Sequence, residues 1–233
     1  MVMPHRLNHV FAPPMSDPNP WTLPVPVPSR IETERLVLRP YAHTDAGSLF
    51  EAIEVDRGRL LPWLPWAESD NRTIEEVHYT IEFFARREAS PDCRNFCFGI
   101  FDRQTGEVLG STSVHNIEPG QHCGSTGYWT RPDRVRRGIC TEATGAIITS
   151  ALSPKERGGW GLRRMTLYCA EVNEASSGVA RKLGMRLETR SPGGRYLRGM
   201  GYHTELMFAV LATEWDFEKQ RAKADIERGI EGC

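Results

Sequence analysis

The sequence predicts an α/β (α+β) domain in which helices cover both faces of one mixed central sheet. Three observations carry that prediction. Period-2 and 3.6-period runs follow one another in the order β, α, α, β, β, β, α, β, α, β, β. The three middle strands are consecutive, with Asp102-Arg-Gln-Thr-Gly106 as a hairpin loop ending in glycine. The later strands are separated by helical patterns, which asks for helices packed on a sheet.

The elements read in order as follows. Arg35-Leu-Val-Leu-Arg39 alternates as a strand and Pro40 ends it. Thr44 caps a helix whose Ala46, Leu49, Phe50 and Ile53 fall on one face. A loop rich in large apolar side chains, Leu60 to Trp66, leads to a second helix opened by the capping box Thr73/Glu76, with Ile74, Val77, Ile81 and Phe84 as its stripe. Strands follow at Asn95 to Phe101, Val108 to Ile117 and about Thr126 to Thr130. A helix from about Thr141 to Leu152 stops before Pro154, a strand spans Arg164 to Ala170, and a helix from Asn173 to Leu183 ends on Gly184 at its C′ position. Met185 to Thr189 and His203 to Ala212 read as strands around a Gly/Arg-rich loop, which is a substrate lid or a solvated hairpin.

Composition bounds the function. Hydrophobic residues make up 39% and charged residues 25%, as in an ordinary soluble domain. With 29 basic against 30 acidic side chains the net charge is −1, so a nucleic-acid partner is not expected. The six cysteines form no CxxC pair, so neither a metal site nor a disulfide framework is expected. No apolar run is long enough to cross a membrane, the N-terminus lacks a continuous apolar stretch so that no signal peptide is expected, and the expected location is cytoplasmic. Residues 1–29 hold eight prolines and read as an extended arm outside the core. Residues 30–215 form the domain, and 216–233 a charged tail with helical spacing.

Arg131-Pro-Asp-Arg-Val-Arg-Arg-Gly-Ile-Cys140 lies between a strand and a helix, with four arginines in seven residues and Gly138 just before the helix. Helix N-terminal amides and the helix dipole favour an anion there, glycine lets the backbone approach it, and arginine adds charge-assisted bonds. Neither a Walker loop nor a dinucleotide fingerprint fits this segment.

Two segments carry a resemblance. Gly127-Tyr-Trp-Thr followed by Arg136-Arg-Gly-Ile-Cys-Thr-Glu-Ala143 resembles the strand, pyrophosphate loop and helix of the GNAT superfamily of N-acetyltransferases. Asn173-Glu-Ala-Ser-Ser-Gly-Val-Ala-Arg-Lys-Leu-Gly-Met185 is similar to that family's N-x-x-S-x-x-V-x-x-K-L-G-[FM] segment. Ile31-Glu-Thr-Glu-Arg-Leu-Val-Leu-Arg-Pro40 and Trp63-Leu-Pro-Trp66 resemble the branch that acetylates ribosomal-protein N-termini at serine or alanine. The resemblance implies a mostly antiparallel sheet splayed between its fourth and fifth strands, with acetyl-CoA in the gap. It implies a pantetheine arm along Trp129 and Thr130, and the pyrophosphate on a stretch comprising Val135, Arg136, Arg137, Gly138, Ile139, Cys140 and Thr141. It also implies a binding role for Asn173 and a proton from Ser176 to the departing CoA thiolate. The chain departs from the family's loop pattern at Val135 and Cys140, and Ser125 stands where many relatives carry a glutamate base.

Acetyl transfer to an amine needs a neutral nucleophile, a polarised thioester and an acid for the thiolate, and no metal. His115, at the end of a strand facing the expected gap, is the candidate base, and Ser176 the candidate acid. Trp63, Trp66 and Glu205 are candidate walls of the acceptor pocket, while Glu142 suits the helix dipole. The acceptor is a protein N-terminus or a small-molecule amine such as an aminoglycoside or polyamine, with the protein a monomer or homodimer. The other reading, motivated by Val135, Cys140 and the missing glutamate, is a weakly catalytic acyl-CoA-binding or sensor domain.

Overall fold

A computed structural model describes residues 19–218. One sheet contains β1 (Ile31–Glu32), β2 (Leu36–Arg39), β3 (Phe96–Asp102), β4 (Val108–Glu118), β5 (Cys123–Thr130), β6 (Arg164–Ala170), β7 (Arg186–Leu197) and β8 (Gly201–Leu211). Their spatial order is β1-β2-β3-β4-β5-β6-β8-β7. Around it lie α1 (Ala46–Glu54), α2 (Arg57–Leu60), α3 (Trp66–Ser69), α4 (Ile74–Glu88), α5 (Ile139–Leu152) and α6 (Glu174–Lys182). No helix among the described residues is long and apolar enough to cross a membrane.

Strand alternation divides the core into two layers. Leu36, Leu38, Phe96, Phe98 and Ile100 pack with Ile147 and Ile148 of α5 and with Val179 of α6. Val37, Phe101 and Val108 pack instead with Leu49 and Ile53 of α1 and Val77 and Ile81 of α4. Both faces of the sheet are therefore covered, as the element order predicts.

All neighbouring strands are antiparallel except β5 and β6. That parallel pair is registered only from Cys123↔Arg164 to Thr126↔Leu167. Beyond it, Gly127–Thr130 stays on β4 and Tyr168–Ala170 stays on β8, so the sheet opens into a V. With the short β1 counted, the splay falls between the fifth and sixth strands.

Several expectations are corrected. Residues 19–29 are not a detached arm. Trp21 is 4% exposed within the core, and its indole Nε1 donates to Trp160 O at 2.6 Å. Proline spacing hides this, because a single aromatic anchors the segment without any periodic stripe. The expectations for residues 1–18 and for the tail beyond 218 lie outside the described residues. The apolar loop from Leu60 to Trp66 links two short helices that the sequence reading did not give, α2 ending at Leu60 and α3 beginning at Trp66. The Gly/Arg-rich loop is largely strand: β7 runs on to Leu197, with a register shift between Ser191 and Arg195 that absorbs Pro192, Gly193 and Gly194. Asp45, not Thr44, is the N-cap of α1, and its carboxylate accepts Ala42 N at 2.7 Å across the 3-10 turn that precedes the helix rather than from the helix itself. Thr73 does cap α4, accepting Glu76 N at 3.3 Å, while Glu76 reaches back to Arg72 N at 2.7 Å.

Candidate active site

The chain between β5 and α5 forms a braced cradle. Gly138 is the N-cap of α5 at φ +80°, and Arg136 also has positive φ, at +63°. Such a backbone suits glycine, and the first N–H groups of α5 that follow it have no intrahelical acceptor. Arg35 steadies the loop by donating Nη1 to Arg137 O at 3.0 Å and Nε to Glu142 Oε2 at 2.7 Å. Thr33 donates to the other Glu142 oxygen at 2.5 Å, so this acid ties the β1–β2 hairpin to α5.

The four arginines divide. Arg131 is 3% exposed and held by Glu107 at 2.5 Å and Asp133 at 2.8 Å, and Arg134 shares the same two carboxylates. These two are structural. Arg136 and Arg137 are exposed beside the cradle, as is Val135, while Ile139 is buried beneath it. Cys140 turns inward, with its thiol donating to Thr130 Oγ1 at 3.6 Å and pushed up to about 11 by burial. Its bulk therefore packs on the core side of the helix start.

A cavity of about 150 Å³ occupies the splay between β5 and β6, bounded among others by Trp63, Tyr128, Asn173, Ser176 and Arg195. Gly127–Thr130 presents to this gap the strand edge that β6 does not pair. Asn173 caps α6 by accepting Ser176 N at 3.1 Å. The Tyr128 hydroxyl donates to Ser176 O at 3.1 Å and lies 3.1 Å from Ser176 Oγ. Burial raises the Tyr128 phenol well above its ordinary value, so it remains a proton donor in this pair.

A second cavity, of about 700 Å³, lies on the other side of β5 beneath α1, α3 and α4. Leu64, Gly127 and Tyr128 border both cavities, so the two meet there. Gly127 leaves the junction clear. A Cβ at that position would approach His115 Cε1 at 3.4 Å, so the imidazole packs against Gly127, although His115 itself lines neither cavity. His115 Nδ1 and Ser113 Oγ share a hydrogen bond at 2.9 Å, and burial lowers the imidazole pKa, favouring the neutral form. Ser125 is 6% exposed and bonded through its hydroxyl to Thr166 Oγ1 at 2.8 Å, which leaves no carboxylate at that point.

The three residues predicted for an acceptor pocket are separated. Trp66 lines the larger cavity, edge-on to Trp129 at 5.6 Å. Trp63 lines the smaller one. Glu205 borders neither and instead pairs with Arg195 at 2.8 Å, because β8 turns it toward the β7 partner strand. Sequence reasoning passed over Tyr128, although it sits inside the quoted Gly127-Tyr-Trp-Thr segment. It also passed over the second apolar row of α4, where Tyr79 and Phe83 stand four residues apart.

Comparison with known proteins agrees with this fold. Residues 35–186 match the acetyltransferase (GNAT) domain. The Bacillus subtilis (strain 168) protein YdaF, provisionally named a ribosomal N-acetyltransferase, is 28% identical over 186 residues, spanning 80% of this chain and 96% of that protein. The ribosomal-protein-serine acetyltransferase of Escherichia coli (strain K12) is 27% identical over 159 residues, spanning 67% of this chain and 82% of that protein. RimL, a ribosomal L7/L12 alpha-N-protein acetyltransferase solved with coenzyme A, shares the fold with a TM-score of 0.68 at 24% identity, over 78% of this chain and 98% of that one. A splayed sheet, a glycine-capped cradle at the mouth of the splay and a domain match over more than half the sequence converge: the chain belongs to the GNAT family and is an acetyl-CoA-dependent acetyltransferase.

Proposed function

We propose that this enzyme transfers acetyl from acetyl-CoA to a primary amine, with the donor in the β5–β6 gap and the acceptor entering through the larger cavity. The observation that carries the reading is the meeting of the two cavities at Gly127 and Tyr128. The relatives' names support a protein N-terminal amine as one acceptor class, and a small-molecule amine is the other. A cytoplasmic location fits either.

The cradle fits a CoA pyrophosphate. Gly138, Ile139, Cys140 and Thr141 offer main-chain donors, and the exposed Arg136 and Arg137 supply charge. The open edge of β5 at Trp129 and Thr130 suits an extended pantetheine arm, with Asn173 at the far wall of the gap. Acetyl-CoA supplies the activated acyl group.

The chain's residues then divide the proton work. Neutral His115 accepts the proton of the attacking amine, directly or through one water, as the new C–N bond forms. Ser176, supported by the Tyr128 hydroxyl, donates a proton to sulfur as the C–S bond breaks. Thiol release from acetyl-CoA, followed across a panel of amines and peptides, tests the reading. Amine-dependent release is the expected result. Tight acetyl-CoA binding without release for any primary amine would end it.

A further inference from the structure

The walls of the larger cavity say more about the acceptor. We infer that the acceptor is a small primary amine carried on an aromatic or similarly flat apolar body, an inference that rests on the acyl-transfer reading above. The cavity's volume of about 700 Å³ is that of a site for a drug-sized molecule. Its long walls are aromatic: Trp66 from α3, Tyr79, Phe83 and Phe84 from α4, and Trp129 from β5. Tyr79 and Phe83 remain 64% and 45% exposed, each with an arginine over its ring, Arg86 at 5.9 Å and Arg87 at 5.5 Å.

Charge argues in the same direction. Among the lining residues only Asp70 and Glu76 are carboxylates, and both are engaged. Asp70 Oδ1 accepts Ser69 Oγ at 2.7 Å, and Glu76 Oε2 accepts the Arg72 amide at 2.7 Å. A polyamine or aminoglycoside would bring several positive charges into a chamber lined by only two carboxylates. A Ser- or Ala-initiated peptide would present small polar groups to aromatic rings and leave most of their surface wet. A flat apolar body would stack on those rings while its amine reaches Gly127, beside the His115 imidazole.

The test uses the full chain with saturating acetyl-CoA, and compares tryptamine, spermidine, kanamycin and hexapeptides beginning with Ser or Ala. The expected result is a kcat/KM for tryptamine at least about tenfold above the others. In Phe83→Ala, the KM for tryptamine should rise about tenfold, as loss of one stacking wall implies. In the same variant kcat and the KM for acetyl-CoA should stay near wild type, and Phe83→Trp should restore the tryptamine KM. Preference for a peptide or a polycation, or a tryptamine KM unmoved in Phe83→Ala, overturns the inference while leaving primary-amine transfer intact. Thiol release with none of the amines, despite calorimetric acetyl-CoA binding, removes both.

Discussion

Ser176 and His115 sit on different elements, yet each is near the point where the two cavities join. If Ser176 supplies the thiolate's proton, it is needed only as the C–S bond breaks. Ser176→Ala should then lower kcat by about 10²–10⁴ with acetyl-CoA affinity nearly unchanged. A Ser176 that merely supports its helix would instead cost about 1 kcal/mol of stability and leave turnover intact. His115→Ala should be slow near neutral pH and should recover at high pH, where the amine loses its proton unaided. The depressed His115 pKa means that the wild-type base is lost only at pH below the usual histidine value, so the wild-type rate should hold to lower pH than the variant's. Equal wild-type and variant pH–rate profiles would remove the base assignment. At this scale the sequence was most readable where geometry is local. Ser176, Asn173 and Gly138 lie in compact motifs, whereas the burial of Arg131 depends on Glu107 and Glu51, at separations of 24 and 80 residues. Nothing near Arg131 in the chain distinguishes it from Arg136.

Helix α5 and the turn before it form one structural unit. Gly138 is in the left-handed region at φ +80°, and a Cβ there would stand 3.4 Å from Arg35 Nη2, so space tolerates a side chain while the backbone does not. Gly138→Val should cost about 1–2 kcal/mol of stability and weaken acetyl-CoA binding at least about tenfold as the cradle rearranges. Gly138→Asn, which adopts this conformation more readily, should keep most of the stability. Calorimetry and a thermal melt check both effects. Wild-type affinity in a folded Gly138→Val would remove the cradle assignment. Elements with clean periodicity were legible to the residue, as with β6 over Arg164–Ala170. The far half of β7 was not, because Pro192, Gly193 and Gly194 erase the two-residue alternation, and only pairing with β8 makes that segment a strand.

Across the whole molecule, the N-terminal segment is structural where it was expected to be passive. Trp21 lies in the same core as Trp160, bonded to its carbonyl, and its own amide donates to Pro119 O at 2.9 Å. Trp21→Ala should cost about 3 kcal/mol, lowering Tm by roughly 6–12 °C for a domain of this size. Deletion through Pro28 should do at least as much, and an unchanged melting curve for either would show that the segment contributes nothing to the core. The splay has a consequence of another kind. A half-strand with open hydrogen-bonding groups is the feature by which proteins recruit stray strands and aggregate, and sheets usually blunt such edges with charge, proline or a bulge. Gly127-Tyr-Trp-Thr130 carries none of these. Its protection is placement: the edge faces into a V closed at its base by the Thr126↔Leu167 pairing and walled by Tyr168–Ala170. The splay is thus also the place where an adhesive strand edge is turned inward, away from the outer rims of the sheet.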